Sequence, residues 1–268
     1  MPQTSDFQNR WALITGASSG IGAALARELA AHGAKLILTA RRRDRLDALA
    51  AELTARGIET RVIVADLNDP SAPQQIFDAT EGAGLVVDIL INNAGLGQFG
   101  SFVTGDADQE FSMVRVNCEA VVRLSRLFLP PMVERRRGWM LVVASAASFQ
   151  PVTYLSTYAA TKAFDRFFAL GVGAEVARFG VRVTALCPGT TESEFIDLAH
   201  AGQFLDRNLQ SAAEVARIGI AALARGQHTI STNLTGKLRS FFVRFLPVDL
   251  ITGFVEKVAR PKPRNESI

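Results

Sequence analysis

The chain is short of cysteine and histidine and has no long apolar run, and each shortage removes a class of function. Its 268 residues include only two cysteines, Cys118 and Cys187. Two thiols cannot build a disulfide framework and suit a reducing compartment, so a cytoplasmic protein with buried free thiols is expected. The three histidines, His32, His200 and His228, are scattered without ligand spacing, and no metal centre is expected. The longest uninterrupted apolar run, Trp139 to Ala144, falls far short of the roughly 20 residues a membrane helix needs. Met1 to Arg10 is polar and carries Asp6, without the pattern of a signal peptide. A net charge of +3 is too small to argue for a nucleic-acid partner. Internal repeats, linkers and low-complexity tracts are also lacking. One α/β domain over 1–268 is expected, since 48% hydrophobic and 21% charged residues suit a single sizeable core.

What the chain does have is regular alternation of strand and helix. Short apolar runs at 11–14, 35–39, 61–65, 86–91, 139–144 and 181–186 read as buried strands. Helical patterns lie between them, at 23–31, 43–57, from Pro70, at 106–137 and at 156–178. The pattern over 106–137 is interrupted late by Pro130-Pro131. Alternation sustained over six units predicts a doubly wound parallel sheet of six to seven strands with helices on both faces.

The first strand runs into Thr15-Gly16-Ala17-Ser18-Ser19-Gly20-Ile21-Gly22 and then a helix. Strand, glycine-rich turn and helix together make a phosphate site: glycines admit the backbone to the pyrophosphate, and the helix start supplies N–H donors. The spacing G-x-x-x-G-x-G departs from the G-x-G-x-x-G fingerprint, but the context favours a dinucleotide over a plain turn. An NAD site would carry an acid about 20 residues beyond the glycines, on the ribose 2′-hydroxyl. Here Ala40 stands near that place and Arg41-Arg42-Arg43 follows. A cation there suits a 2′-phosphate, so NADP(H) is favoured over NAD(H), with Arg41 nearest the strand end. At least two of the three arginines are expected to be the solvated first turn of the next helix. Asp66-Leu67 at the third strand's end is placed to meet an adenine amino group, or simply to start a helix. Asn92-Asn93-Ala94-Gly95 ends the fourth strand and suits close backbone packing against a flat ligand, or a turn. Cys187-Pro188-Gly189-Thr190-Thr191 ends the sixth and is fit to close over a nicotinamide.

Tyr158 and Lys162 lie one turn apart on the face of the helix at 156–178. A phenol, with an ordinary pKa of about 10, is a poor acid near neutrality, and a neighbouring cation lowers that value. Such a Tyr can exchange a proton with a carbonyl or alcohol. Ser145 lies thirteen residues before Tyr158 at a strand end, where open α/β sheets place ligands. Asn117, flanked by Val114, Val116, Val121 and Val122, is either a satisfied core amide or a residue holding a kink and a water.

The set Thr15-Gly16-x-x-x-Gly20-Ile21-Gly22, Asp66, Asn92-Asn93-Ala94-Gly95, Asn117, Ser145, Tyr158-x-x-x-Lys162 and Pro188-Gly189 resembles the short-chain dehydrogenase/reductase family over nearly the whole length. The resemblance implies a Rossmann-type fold and a catalytic tetrad of Asn117, Ser145, Tyr158 and Lys162. It implies Tyr158 as general acid/base, Ser145 bonding the substrate oxygen, Lys162 on the nicotinamide ribose, and Asn117 holding a relay water. It also implies Gly16, Ser18, Ser19, Gly20, Ile21, Gly22, Arg41, Asp66, Leu67, Asn93, Ala94, Gly95, Tyr158, Lys162, Pro188, Gly189 and Thr191 as cofactor contacts. A homodimer or homotetramer packed through the helices at 106–137 and 156–178 is implied as well.

The C-terminal third carries the substrate question. Residues 191–210, with Phe195, Ile196, Leu198 and Phe204, are expected to form an apolar flap, with His200 facing solvent. Over 234–260, two basic amphipathic helices carry Leu234, Leu238, Phe241, Phe242 and Phe245, then Leu250, Ile251, Phe254, Val255 and Val258. Their expected role is to cover the core or a subunit interface; contact with a membrane surface is the less favoured alternative. The tail resembles that of long-chain ketoacyl and hydroxysteroid reductases, which implies a hydrophobic carbonyl or alcohol substrate. Two rival functions are a non-catalytic dinucleotide sensor and a membrane-surface protein acting through the C-terminal helices.

Overall fold

Strands buried on both faces must be apolar at every position, and this governs how the chain folds. In the computed structural model, which describes residues 4–192, 209–233 and 245–260, seven strands form one parallel sheet in the order 3-2-1-4-5-6-7. They are β1 (Trp11–Thr15), β2 (Lys35–Ala40), β3 (Thr60–Val64), β4 (Val87–Asn92), β5 (Gly138–Val143), β6 (Val181–Cys187) and β7 (Thr229–Ser231). Every residue of β1, β4 and β5 is buried. Period two along each strand divides the core. Ile14, Leu36, Leu38, Ile89 and Leu141 pack on one face with Leu25, Leu29, Leu46 and Ile220. Leu13, Ile37, Leu90 and Met140 pack on the other with Ile76, Leu124, Phe128 and Val176.

The covering helices are α1 (Gly20–Ala31), α2 (Arg43–Thr54), α3 (Ala72–Asp78), α4 (Ala107–Val114), α5 (Ala120–Glu134), α6 (Ser156–Val176), α7 (Ala212–Ala224) and α8 (Val248–Ala259). The chain winds outward from β1 to β3, then returns to place β4 on the other side of β1, in register Ile14↔Ile91. That reversal opens a crevice above the carboxyl ends of β1 and β4.

The single helical pattern at 106–137 divides. Between α4 and α5 lies a wide π turn, Arg115–Glu119, with Asn117 at its centre and fully buried. Pro130 and Pro131 do not interrupt α5 but sit within it near its end. The carbonyls they leave unpaired belong to exposed Arg126 and half-buried Leu127, where water can reach them. The helix expected from Pro70 begins at Ala72, with Pro73 in its first turn, where a missing N–H costs nothing. The short edge strand β7 and helix α7 complete the sheet and its cover. Of the two amphipathic helices expected over 234–260, α8 is present. Residues 234–244, with Leu234, Leu238, Phe241 and Phe242, lie outside the described residues, as do Phe195, Ile196, Leu198, His200 and Phe204.

Candidate active site

The glycine turn and the strand that ends in Asn92 are fastened together by one hydroxyl. Thr15 Oγ1 donates to Ile91 O (3.2 Å) and accepts from Asn93 N (2.9 Å) and Ala94 N (3.0 Å). Asn93 Nδ2 in turn donates to Thr15 O at 2.8 Å and approaches Gly16 O at 3.3 Å. Gly16 and Gly20 have φ of +66° and +53°, a conformation that strains any residue with a Cβ. A Cβ on Gly22 would overlap the Gly16 carbonyl and lie 2.5 Å from Asn93 Nδ2. These glycines bring α1 against β1, and no side chain caps the helix start. Its first N–H groups are therefore available to an anion. The cradle fits a dinucleotide pyrophosphate.

Of the three arginines after β2, Arg41 is exposed at the strand end and Arg43 opens α2, paired with Asp47. Arg42 turns inward instead. Its Nη2 donates to Ser18 Oγ (3.1 Å) and Ser19 Oγ (2.8 Å), placing a cation beside the glycine turn. Sequence reasoning chose Arg41 for nearness to the strand; the direction of each side chain at the strand–helix junction is what brings Arg42 in. Asp66 is exposed, and its Oδ1 accepts from Asn68 N at 3.0 Å, an Asx turn leading toward α3. Leu67 beside it is half-buried.

The four tetrad residues occupy three neighbouring elements. Asn117 is a satisfied amide: Oδ1 accepts from Leu96 N (2.8 Å), and Nδ2 donates to Leu96 O (2.9 Å) and Thr161 Oγ1 (2.9 Å). Thr161 Oγ1 donates in turn to Tyr158 O at 2.8 Å, tying the π turn to the first turn of α6. These three bonds are those of the satisfied core amide, the first of the two roles weighed for it, and the amide stands at the centre of the π turn. Gly95 lies between two of the four: a Cβ there would stand 3.3 Å from Lys162 Nζ and 3.4 Å from Asn117 Oδ1. Tyr158 is half-buried. Ser145, also half-buried, stands two residues beyond β5 and caps a short 3₁₀ turn, Ala146–Phe149, by accepting from Ala147 N at 3.1 Å.

Lys162 is 4% exposed, and its Nζ donates to Val143 O (2.8 Å) and Asp165 Oδ2 (3.0 Å). Burial alone would lower its pKa, but Asp165 and Tyr158 more than offset this and hold the ammonium above its ordinary value. Asp165 is 1% exposed, and burial pushes it up to about 6 even though Lys162 pulls the other way. Sequence reasoning missed Asp165. An acid three residues after a lysine on one helix is a visible signal, but it ordinarily marks a solvated face. Cys118, beside Asn117, is pushed up to about 12 by burial and by Asp165, and buried Cys187 is raised by burial. Both thiols are free; Cys187 is buried as expected, whereas Cys118 is only half-buried.

At the end of β6 the loop closes on itself. Gly189 N donates to Thr232 Oγ1 (3.3 Å), and Thr191 Oγ1 donates to Gly189 O (3.0 Å). Ala146 N donates to Pro188 O at 2.7 Å, which joins this loop to the Ser145 turn. The expected flap at 191–210 is pinned at its base, because Thr191 and Gln210 pair as a parallel bridge and Glu192 N donates to Gln210 O at 2.9 Å. Its interior, 193–208, is outside the described residues. Among the described residues no His, Cys, Asp and Glu cluster could hold a metal ion, and no helix is long and apolar enough to cross a membrane.

A family profile described as short chain dehydrogenase matches residues 10–203. A very-long-chain 3-oxoacyl-CoA reductase of Anas platyrhynchos is 37% identical over 185 residues, 66% of this chain and 58% of that protein. The chain therefore spans well under two thirds of that relative's length. Among solved structures, a short-chain dehydrogenase from Sphingobium yanoikuyae in complex with NADPH superposes with a TM-score of 0.80 at 29% identity, covering 96% of this chain and 99% of that one. The bulky-bulky ketone specific alcohol dehydrogenase from Comamonas testosteroni gives 0.76 at 28% identity, covering 94% and 96%.

Proposed function

The chain belongs to the short-chain dehydrogenase family, and from that membership we propose an NADP(H)-dependent oxidoreductase that interconverts a carbonyl and an alcohol on a hydrophobic substrate. The observation that carries this reading is the buried Lys162 ammonium, fixed by Val143 O one helical turn from Tyr158. A bound nicotinamide would supply or receive the hydride. Tyr158 gives a proton to the substrate oxygen during reduction and takes it back during oxidation. Ser145 donates to the same oxygen, Lys162 stabilises the phenolate that Tyr158 leaves behind, and Asn117 holds the start of α6 in place.

Support for NADP(H) comes from the missing acid at the end of β2 and from two cations, Arg41 and Arg42, where an acid would stand. The Sphingobium neighbour is an NADPH complex. Support for a hydrophobic substrate comes from the two named relatives, one a very-long-chain oxoacyl-CoA reductase and one specific for bulky ketones. Phe102 and Val103 are exposed on the segment beyond Gly95. On α8 and just before it, Phe245, Leu250 and Phe254 are exposed, and the helix is tied to Tyr154, whose hydroxyl donates to Glu256 at 3.3 Å. Self-association through α4, α5 and α6 is supported by exposed Phe111, Val114, Val122, Phe164 and Phe167. The free thiols suit a reducing compartment, in keeping with a cytoplasmic protein. The intact tetrad argues against a silent dinucleotide sensor.

The test is a panel of long-chain and bulky ketones and alcohols followed by NADPH absorbance. Turnover with kcat/KM higher for NADPH than for NADH supports the reading. A preference for NADH refutes the role given to the arginines, and an inactive panel with NADPH still bound favours the sensor.

A further inference from the structure

The Lys162–Asp165 pair goes beyond the tetrad. Asp165 is almost wholly buried, its Oδ2 accepts from Lys162 Nζ at 3.0 Å, and its Oδ1 has no hydrogen-bond partner among the described residues. A carboxylate in that position is compensated by one group, the Lys162 ammonium. We propose that Asp165 is a positioning residue that screens the Lys162 charge from Tyr158 and so sets the pH at which Tyr158 gives up its proton. The proposal rests on the reading of Tyr158 as the acid/base.

The physical argument compares two opposing effects. Asp165 helps to keep buried Lys162 protonated, which favours the phenolate. It also places a negative charge on the same cation, which disfavours the phenolate. As the phenolate forms, Tyr158 itself becomes a counter-charge for Lys162 and raises it. Val143 O continues to hold the ammonium at 2.8 Å. On the proposal, the Val143 O contact and the forming phenolate hold the ammonium once Asp165 is gone, and what is lost with the carboxylate is the screening.

The other charged and titratable groups near the pair do not take over this task. Cys118 on the π turn and Cys187 at the end of β6 are both raised by burial, which favours the neutral thiol. Arg166, next along α6, lies over the Phe149 ring at 4.3 Å and the Phe167 ring at 4.9 Å. Neither it nor Asp108 and Glu110 of α4 is among the charges that shift Asp165. From β5 the Val143 carbonyl accepts from Lys162, and the hydroxyls of the turn after it, Ser145 and Ser148, carry no charge and bond Ala147 N and Cys187.

The chain has two tyrosines, Tyr154 and Tyr158. Tyr154→Phe therefore leaves Tyr158 as the sole phenol, and its ultraviolet phenolate absorbance can be titrated in the full-length, cofactor-free protein. In that background Asp165→Asn moves the midpoint down by about one pH unit. Asp165→Leu, which also removes the charge, shifts it the same way and serves if the Asn variant does not fold. Asp165→Glu restores the parent midpoint. An unchanged or raised midpoint in both charge-removing variants overturns the proposal, as does a shift of equal size in Asp165→Glu. The titration needs no substrate. An inactive carbonyl panel would therefore count against the oxidoreductase reading alone, and an unmoved midpoint in an active enzyme would count against Asp165 alone.

Discussion

The two sides of the crevice are built in different ways. On the side of β1, α1 and β4, position is set by short hydrogen bonds and by the absence of side chains: one Thr15 hydroxyl makes three bonds, and Gly16 and Gly22 leave no room for a Cβ. On the side of the segment beyond Gly95, which Tyr154 links to α8 through Gly100 N and Glu256, apolar groups lie open, with Val103 at 90% and Phe254 at 70% exposure. Hydride and proton transfer tolerate only fractions of an ångström of misplacement, whereas holding an apolar tail requires little more than surface to bury. Substitutions on the first side should therefore act on chemistry and cofactor, and those on the second on substrate preference.

The largest effect that would sharpen this contrast is expected at Tyr158. Tyr158→Phe should reduce kcat by two to four orders of magnitude while NADPH affinity, read by fluorescence titration, stays near wild type. Near-normal turnover would break the assignment of chemistry to this side. Next comes Gly22→Ala. The added methyl group meets the Gly16 carbonyl, with an expected loss of about 1–3 kcal/mol in stability and at least about tenfold in NADPH affinity. Calorimetry and a binding titration check both, and an unaltered affinity would mean that the close approach of α1 to β1 is not what seats the cofactor.

Asp165 supplies a test by pH. Its folded pKa of about 6 lies above the ordinary carboxylate value of about 3.9, so between these values the folded chain binds a proton that the unfolded chain does not. Stability contributed by this group therefore rises as pH falls from about 6 to about 4, by about 2–3 kcal/mol. Melting wild type beside Asp165→Asn should show the difference moving in favour of wild type over that window; movement the other way contradicts the sign. The smallest effect is expected on the open side. Phe254→Ser should change stability by no more than about 0.5 kcal/mol and leave kcat on a short ketone unaltered, while raising KM for a long-chain one. An equal loss on both substrates would erase the distinction between the two sides.

Much of the precise side was legible in the sequence because its signals are local. A glycine turn between a strand and a helix, the spacing from Tyr158 to Lys162 and the six apolar runs each depend on neighbours within a few residues. What escaped depended on direction or on length. Arg41 and Arg42 are adjacent, and only the path of the backbone after β2 decides which reaches Ser18 and Ser19. β7 has three residues, too few for a periodic pattern to show. The strand–helix reading passed over α7, which carries no motif although its Val215, Ile220 and Leu223 are fully buried. Asp165 looked like one more charge on a helix because burial is set by the whole fold. The open side was legible only as apolar content, since amphipathic spacing says that a face will be covered but not by what.

The π turn at Arg115–Glu119 has a consequence for how this chain can change. A regular helix advances about 100° with each residue, so a turn widened by one residue offsets everything after it by that angle. With this offset Asn117 bonds Leu96 while α5, which follows the π turn without a break in the chain's helical path, still presents Leu124, Phe128 and Met132 to the sheet. This path is therefore keyed to its residue count as well as to its residue types. Many single substitutions along α5 leave this phase intact, whereas one deletion anywhere from 115 to 119 rotates either the amide or the core face out of alignment. The segment is tolerant of spelling changes and intolerant of a shifted frame.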